Sequence, residues 1–86
     1  MHVAVWDTYV TKKDGKIMHF DILVPSEMKN EETVYGYGKE YLASKNQEGQ
    51  PLTSKECNFC HIEQASEDVK NEIDSKGFSI IEMEGC

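Results

Sequence analysis

The sequence predicts an α+β fold: a two-layer sandwich of order ββαβαβ, with a mixed four-stranded sheet and both helices on one face. Three observations carry this. Two alternating, β-branched and aromatic runs flank an Asp-Gly turn near the start of the chain. Two stretches with helical spacing follow, each opened by a capping residue. A short strand-like run then follows each of those stretches. Chain length, 86 residues, suits one domain over 1–86 with one modest core.

Val3 to Thr11 reads as the first strand, because Val, Trp, Thr and Tyr alternate along it. Lys12-Lys13-Asp14-Gly15-Lys16 is a turn, with Gly15 free to take positive φ. Lys16 to Val24 is the second strand, and Pro25 stops it. Loop length decides the register. A two-residue loop would set Val10 opposite His19 and Trp6 opposite Leu23. A three-residue loop with a glycine bulge sets Val10 opposite Met18 and Trp6 opposite Ile22. The second register collects Ala4, Trp6, Thr8, Val10, Met18, Phe20, Ile22 and Val24 on one face and is preferred for that reason. It also places Asp7 directly across from Asp21, a like-charge pair that needs a cation, a proton or solvent.

Asn30 is the N-cap expected for the first helix, with Glu31 and Glu32 in the first turn and Lys45 toward the other end. Val34, Tyr37, Gly38, Tyr41 and Leu42 form its apolar face. Gly36 and Gly38 inside a helix each cost about 1 kcal/mol relative to alanine, and close packing on the sheet is the reason expected for them. Ser44 to Thr53 is a polar loop, and Thr53 with Glu56 has capping-box spacing. Cys57 to Gln64 is the third strand. Ser66 caps a second helix that runs to Lys76 and stops at Gly77, with a thin stripe of Val69 and Ile73. Phe78 to Met83 is the last strand. Each helix is expected to join parallel strands by a right-handed crossover, which leaves the far face of the sheet uncovered.

Composition excludes some functions. Net charge is −7, and the nine basic residues are all lysine, so nucleic acid is a poor partner and there is no arginine to clamp phosphate. No apolar run reaches the roughly 20 residues of a membrane span, and the start of the chain has no basic segment of a secretory signal. The cytoplasm is the expected compartment. Three cysteines, an odd count, argue against a disulfide framework.

Cys57-Asn58-Phe59-Cys60-His61 is the segment whose residue types suggest chemistry by themselves. It matches the haem-attachment pattern, but that attachment needs export, and the fold reads as mixed rather than helical. Zinc is the better metal for Cys57, Cys60 and His61, yet a structural site wants a fourth ligand. Cys86 is the obvious one. Parallel third and fourth strands would hold it about 20 Å from Cys57, which leaves His2, His19 or a second subunit. A thioredoxin-like role needs the pair at a helix N-terminus, and here it enters a strand. The plain structural reading is Cys60 buried and Cys57 at a strand edge.

A second constellation is the uncovered face. With Cys60 and Ile62 inward, His61 and Glu63 join Asp7, Tyr9, His19 and Asp21 outside. Val5, Leu23, Phe59 and Ile80 are expected to share that surface. Mixed apolar and charged character suits a binding face or a homodimer. The reading is a small binding or regulatory module, self-associating through this face. The alternative is a zinc-binding protein or small metal-assisted hydrolase, using either the cysteine motif or the Asp7/His19/Asp21/His61/Glu63 face.

The runs Val5-Trp6-Asp7-Thr8-Tyr9-Val10, Met18-His19-Phe20-Asp21, Pro51-Leu52-Thr53-Ser54-Lys55-Glu56-Cys57, Phe59-Cys60-His61-Ile62-Glu63 and Glu82-Met83-Glu84-Gly85-Cys86 carry a resemblance over nearly the whole chain. Together they resemble the domain-of-unknown-function 2024 family of small, stand-alone, mostly bacterial proteins. The resemblance implies a compact domain with no assigned activity, and it supplies no catalytic residues.

Overall fold

The structure, a computed structural model, describes residues 1–86. Its centre is a hairpin of β1, His2–Thr11, and β2, Ile17–Pro25. The register is the one expected from a three-residue loop: Val10 faces Met18, Trp6 faces Ile22 and Asp7 faces Asp21. Gly15 takes φ +88°, and the Lys12 amide closes the turn on the Lys16 carbonyl at 2.7 Å. Asp14 Oδ1 accepts from the Lys16 amide at 2.9 Å, so the aspartate braces the loop it initiates.

The order of elements is ββαβαβ, as expected, and the fold is α+β. β3, Cys57–Gln64, pairs with β1, and β4, Ser79–Glu84, pairs with β2, giving the strand order β3-β1-β2-β4. Every pairing is antiparallel, so the expected mixed sheet is corrected. The reason is that the hairpin keeps the middle of the sheet. Each later strand adds to one of its two outer edges, where its neighbour runs the other way. β2 and β3 do run in the same direction, but β1 lies between them.

α1, Glu31–Ser44, covers one face. Val34, Tyr35, Tyr41 and Leu42 pack on Ala4, Trp6, Val10, Met18, Phe20, Ile22 and Val24, with Leu52 and Phe78 completing the cluster. Asn30 caps it by accepting from the Thr33 amide at 3.2 Å. α2, Glu67–Lys76, lies on the opposite face, where Val69 and Ile73 bury Val3, Val5 and Leu23. The expectation of both helices on one side is thereby corrected. Its cause is apolar side chains on the second face of the hairpin. Burying each Val, Leu or Ile stabilises by about 1.5–3 kcal/mol, and the thin α2 stripe is just wide enough to meet them. Ser66 accepts from the Val69 amide at 3.3 Å, and Gly77 ends the helix at φ +91°.

The two α1 glycines differ. A Cβ on Gly38 would sit 2.5 Å from Leu52 Cδ1 and 2.9 Å from Ile22 Cδ1, so packing explains this glycine. Nothing lies within 4 Å of a Cβ on Gly36. Gly36→Ala is expected to raise stability by about 1 kcal/mol, or a melting temperature higher by roughly 4–8 °C. Gly38→Ala should lose about 1–3 kcal/mol to crowding and so melt below Gly36→Ala. Thermal unfolding followed by circular dichroism compares the two.

Candidate functional site

The hairpin register makes a square of four side chains on the face that carries α2. Asp7 stands opposite Asp21, and Tyr9 stands opposite His19 in the next pair. α2 covers only the Val3, Val5 and Leu23 end of this face, so the square lies beyond it, partly open to solvent. His19 Nε2 reaches diagonally to Asp7 Oδ1 at 2.5 Å. The Tyr9 ring stacks on the imidazole, with centroids 4.0 Å apart and planes 10° apart, which holds the histidine in place over the carboxylates.

Burial pushes the Asp21 carboxyl above the ordinary range, and the neighbouring Asp7 carboxylate pushes it further. His19 and His61 act in the other direction. Two carboxylates this close favour holding one proton, or a cation in its place. One ligand atom each from Asp7, His19 and Asp21 lies within 4.8 Å of the others, and no other His, Cys, Asp or Glu group does the same. One imidazole and two carboxylates suit a borderline or hard divalent ion such as zinc or manganese, with coordination positions left for water or ligand.

The other expected face residues come near but stay outside this group. His61 lies opposite Val5 and Glu63 opposite Val3, so both share the face, as expected. They pair with each other at 3.3 Å. The apolar companions expected there are corrected. Val5 and Leu23 are buried beneath α2, whereas Phe59 and Ile80 belong to the α1 side, beside Trp6 and Ile22. Tyr9, Ile17 and Ile81 are the large apolar side chains that remain exposed around the acids.

The cysteine motif is divided by a register shift in β3. Phe59 faces Trp6 and His61 faces Val5, so Cys60 is the extra residue between them. Cys57 is buried on the α1 side and accepts from Thr8 Oγ1 at 3.3 Å, and Cys60 is exposed, the reverse of the burial expected for the pair. Cys57, Cys60 and His61 do not come within common ligand distance. Cys86 is at the same end of the sheet as Cys57 because β3 and β4 are antiparallel, but beyond the opposite edge, with the hairpin between. Its thiol donates to the His19 carbonyl at 3.3 Å.

One polar cluster had no signal in the sequence. Glu82 accepts from the Tyr41 hydroxyl at 2.5 Å and pairs with Lys45 at 2.9 Å. Burial and this carboxylate hold the Tyr41 phenol far above its usual range, and Tyr41 and Lys45 hold Glu82 below its own. The cluster fastens β4 to α1 across 41 residues of sequence.

Burial also pushes the Cys57 thiol up, which removes the reactive thiolate. Labelling of the native protein with an aromatic disulfide reagent should modify Cys60 and Cys86 quickly. Cys57 should react only after denaturant is added. Fast modification of all three would contradict the burial of Cys57.

No curated protein matches the chain. A solved structure does: the NMR structure of protein NE1680 from Nitrosomonas europaea, a structural-genomics target. It is 41% identical, superposes with a TM-score of 0.87, and the match spans 100% of this chain and 99% of that one. The domain of unknown function designated DUF2024 matches over residues 1–83. The chain therefore belongs to the DUF2024 family.

Proposed function

We propose that the protein is a small binding module whose working surface is the open end of the α2-side sheet face, and that this surface takes a divalent metal ion between Asp7, His19 and Asp21. The observation that carries the reading is the convergence of those three ligand atoms within 4.8 Å, two of them from carboxylates set directly opposite one another. Without a cation, the pair stays close only by sharing a proton, by repulsion tolerated, or by the His19 contact. A divalent ion would relieve the repulsion and use all three groups. Cys60 and Cys86 are free and exposed, which favours a reducing compartment, the cytoplasm. At a net charge of −7, nucleic acid is not the partner of this reading.

Self-association through the same face is a second reading. It is favoured by Tyr9, Ile17 and Ile81, which are 49%, 58% and 39% exposed around the acids. Two acidic faces repel each other, so a bound ion on each would ease their approach. Native mass spectrometry with zinc and again with a chelator reads both ideas. An ion on the monomer supports the first, and a dimer mass that needs the ion supports both. A dimer that persists unchanged in chelator would detach the second from the first.

Asp21→Asn separates binding from stability. It should weaken zinc binding by more than about tenfold in calorimetry, since even outer partners of a metal site are worth that much. The sign for the metal-free fold is opposite. Asp21 has a raised pKa in the folded chain, so the folded state holds the proton more tightly than the unfolded one. Its ionisation therefore removes stability as pH rises through the raised value, and acidification toward the ordinary aspartate range restores it. Near neutral pH, Asp21→Asn should relieve the opposed pair by roughly 0.5 kcal/mol and raise the metal-free melting temperature by about 2–4 °C. An unchanged zinc affinity would sink the metal reading.

A further inference from the structure

On the α1 side of the sheet, beside the β3 edge, lies a cavity of about 210 Å³. Its walls include Ala4 and Trp6 of β1, Met28 and Lys29 of the connection to α1, and Phe59 and Ile62 of β3. Two features set it apart. Trp6 is only 8% exposed, and its indole Nε1 is the one buried side-chain nitrogen or oxygen that has no hydrogen-bond partner. A buried donor left without an acceptor costs about 1–3 kcal/mol, so it calls for an explanation. Lys29, in the same wall, enters none of the ion pairs of the fold. Glu31 also lines the cavity, but its carboxylate accepts from the Tyr35 hydroxyl at 3.0 Å.

We infer that this cavity is a site for a small monocarboxylic acid with an aromatic or branched aliphatic body. The carboxylate would accept from Trp6 Nε1 and pair with the Lys29 ammonium, a charge-assisted arrangement. The body would lie against Met28, Phe59 and Ile62. Size agrees, since a cavity of roughly 150 Å³ lined by apolar groups holds a benzene ring. The indole Nε1 itself is closed to solvent, so a ligand reaches it only when the lining side chains shift. Phe59 and Ile62 stand on an edge strand and are about half exposed, and the Met28 side chain is flexible. The site is independent of the Asp7, His19 and Asp21 cluster, which lies on the other face of the sheet.

Trp6 is the only tryptophan, so its indole N–H gives one isolated signal in a proton–nitrogen correlation spectrum. The ¹⁵N-labelled full chain is titrated with benzoate, then with benzamide and with toluene. The proposal expects a saturable downfield shift of the indole proton with benzoate, with a dissociation constant of about 1 mM or tighter. Benzamide should bind at least several-fold more weakly, and toluene should not shift that proton downfield. Lys29→Ala, a change at an exposed loop residue, should weaken benzoate about tenfold while leaving the spectrum of the fold intact. The Phe59 ring meets Trp6 edge to face at 5.9 Å between centroids. If this contact serves the N–H, the indole proton is shifted upfield by the ring and does not respond to benzoate. That result, equal binding of benzamide, or an unaffected Lys29→Ala affinity overturns the proposal.

Discussion

Gly15 closes a three-residue loop, and the length of that loop sets every pairing between β1 and β2. In a strand the side-chain period is two, so a shift of one residue would exchange the two faces of β2 relative to β1. In the observed register Trp6, Val10, Met18, Phe20 and Ile22 form one apolar floor for α1. On the reverse side the same register creates the Asp7–Asp21 opposition and sets Tyr9 against His19. Core and candidate site thus come from one choice of pairing. Removing the like-charge contact by a register slip would unpack the α1 face, where burial of each large side chain is worth several times the cost of two opposed carboxylates.

α2 decides how much of that reverse side is left open. By covering Val3, Val5 and Leu23 it turns one end into a second small core and leaves the acidic square at its margin. Asp21 is consequently shielded enough for burial to be the largest influence on its carboxyl, yet partly accessible. A fully solvated pair of aspartates would bind an ion weakly, and a fully buried pair could not be reached. The position beside α2 lies between these limits, and the Tyr9 stack set by the hairpin register fixes the orientation of His19.

Much of this was legible in the sequence because it depends on local rules. The hairpin register follows from Asp14-Gly15 and from the single arrangement that gathers the apolar residues. Asn30, Ser66 and Gly77 mark their helix ends through short-range hydrogen bonds and backbone conformation. The Asp7, Tyr9, His19 and Asp21 square follows directly from that register. What the residues did not reveal depends on long-range choices. Val69 and Ile73 make too thin a stripe to say which face they cover, and a helical crossover does not say how many strands it passes. The bulge at Cys60 has no glycine to announce it, so the inside and outside of the cysteine motif were exchanged. The Tyr41–Glu82–Lys45 cluster joins parts of the chain with no common pattern.

The proposed ion site between Asp7, His19 and Asp21 has a direct test. Paramagnetic manganese tests its position directly, because relaxation enhancement falls steeply with distance from the ion. At substoichiometric manganese, the amide signals of residues 7, 19 and 21 and the His19 ring should broaden first, with those of α1 unaffected. Broadening centred on Cys57 and Cys60 or on the surface glutamates, or uniform weak broadening over the whole chain, would contradict it.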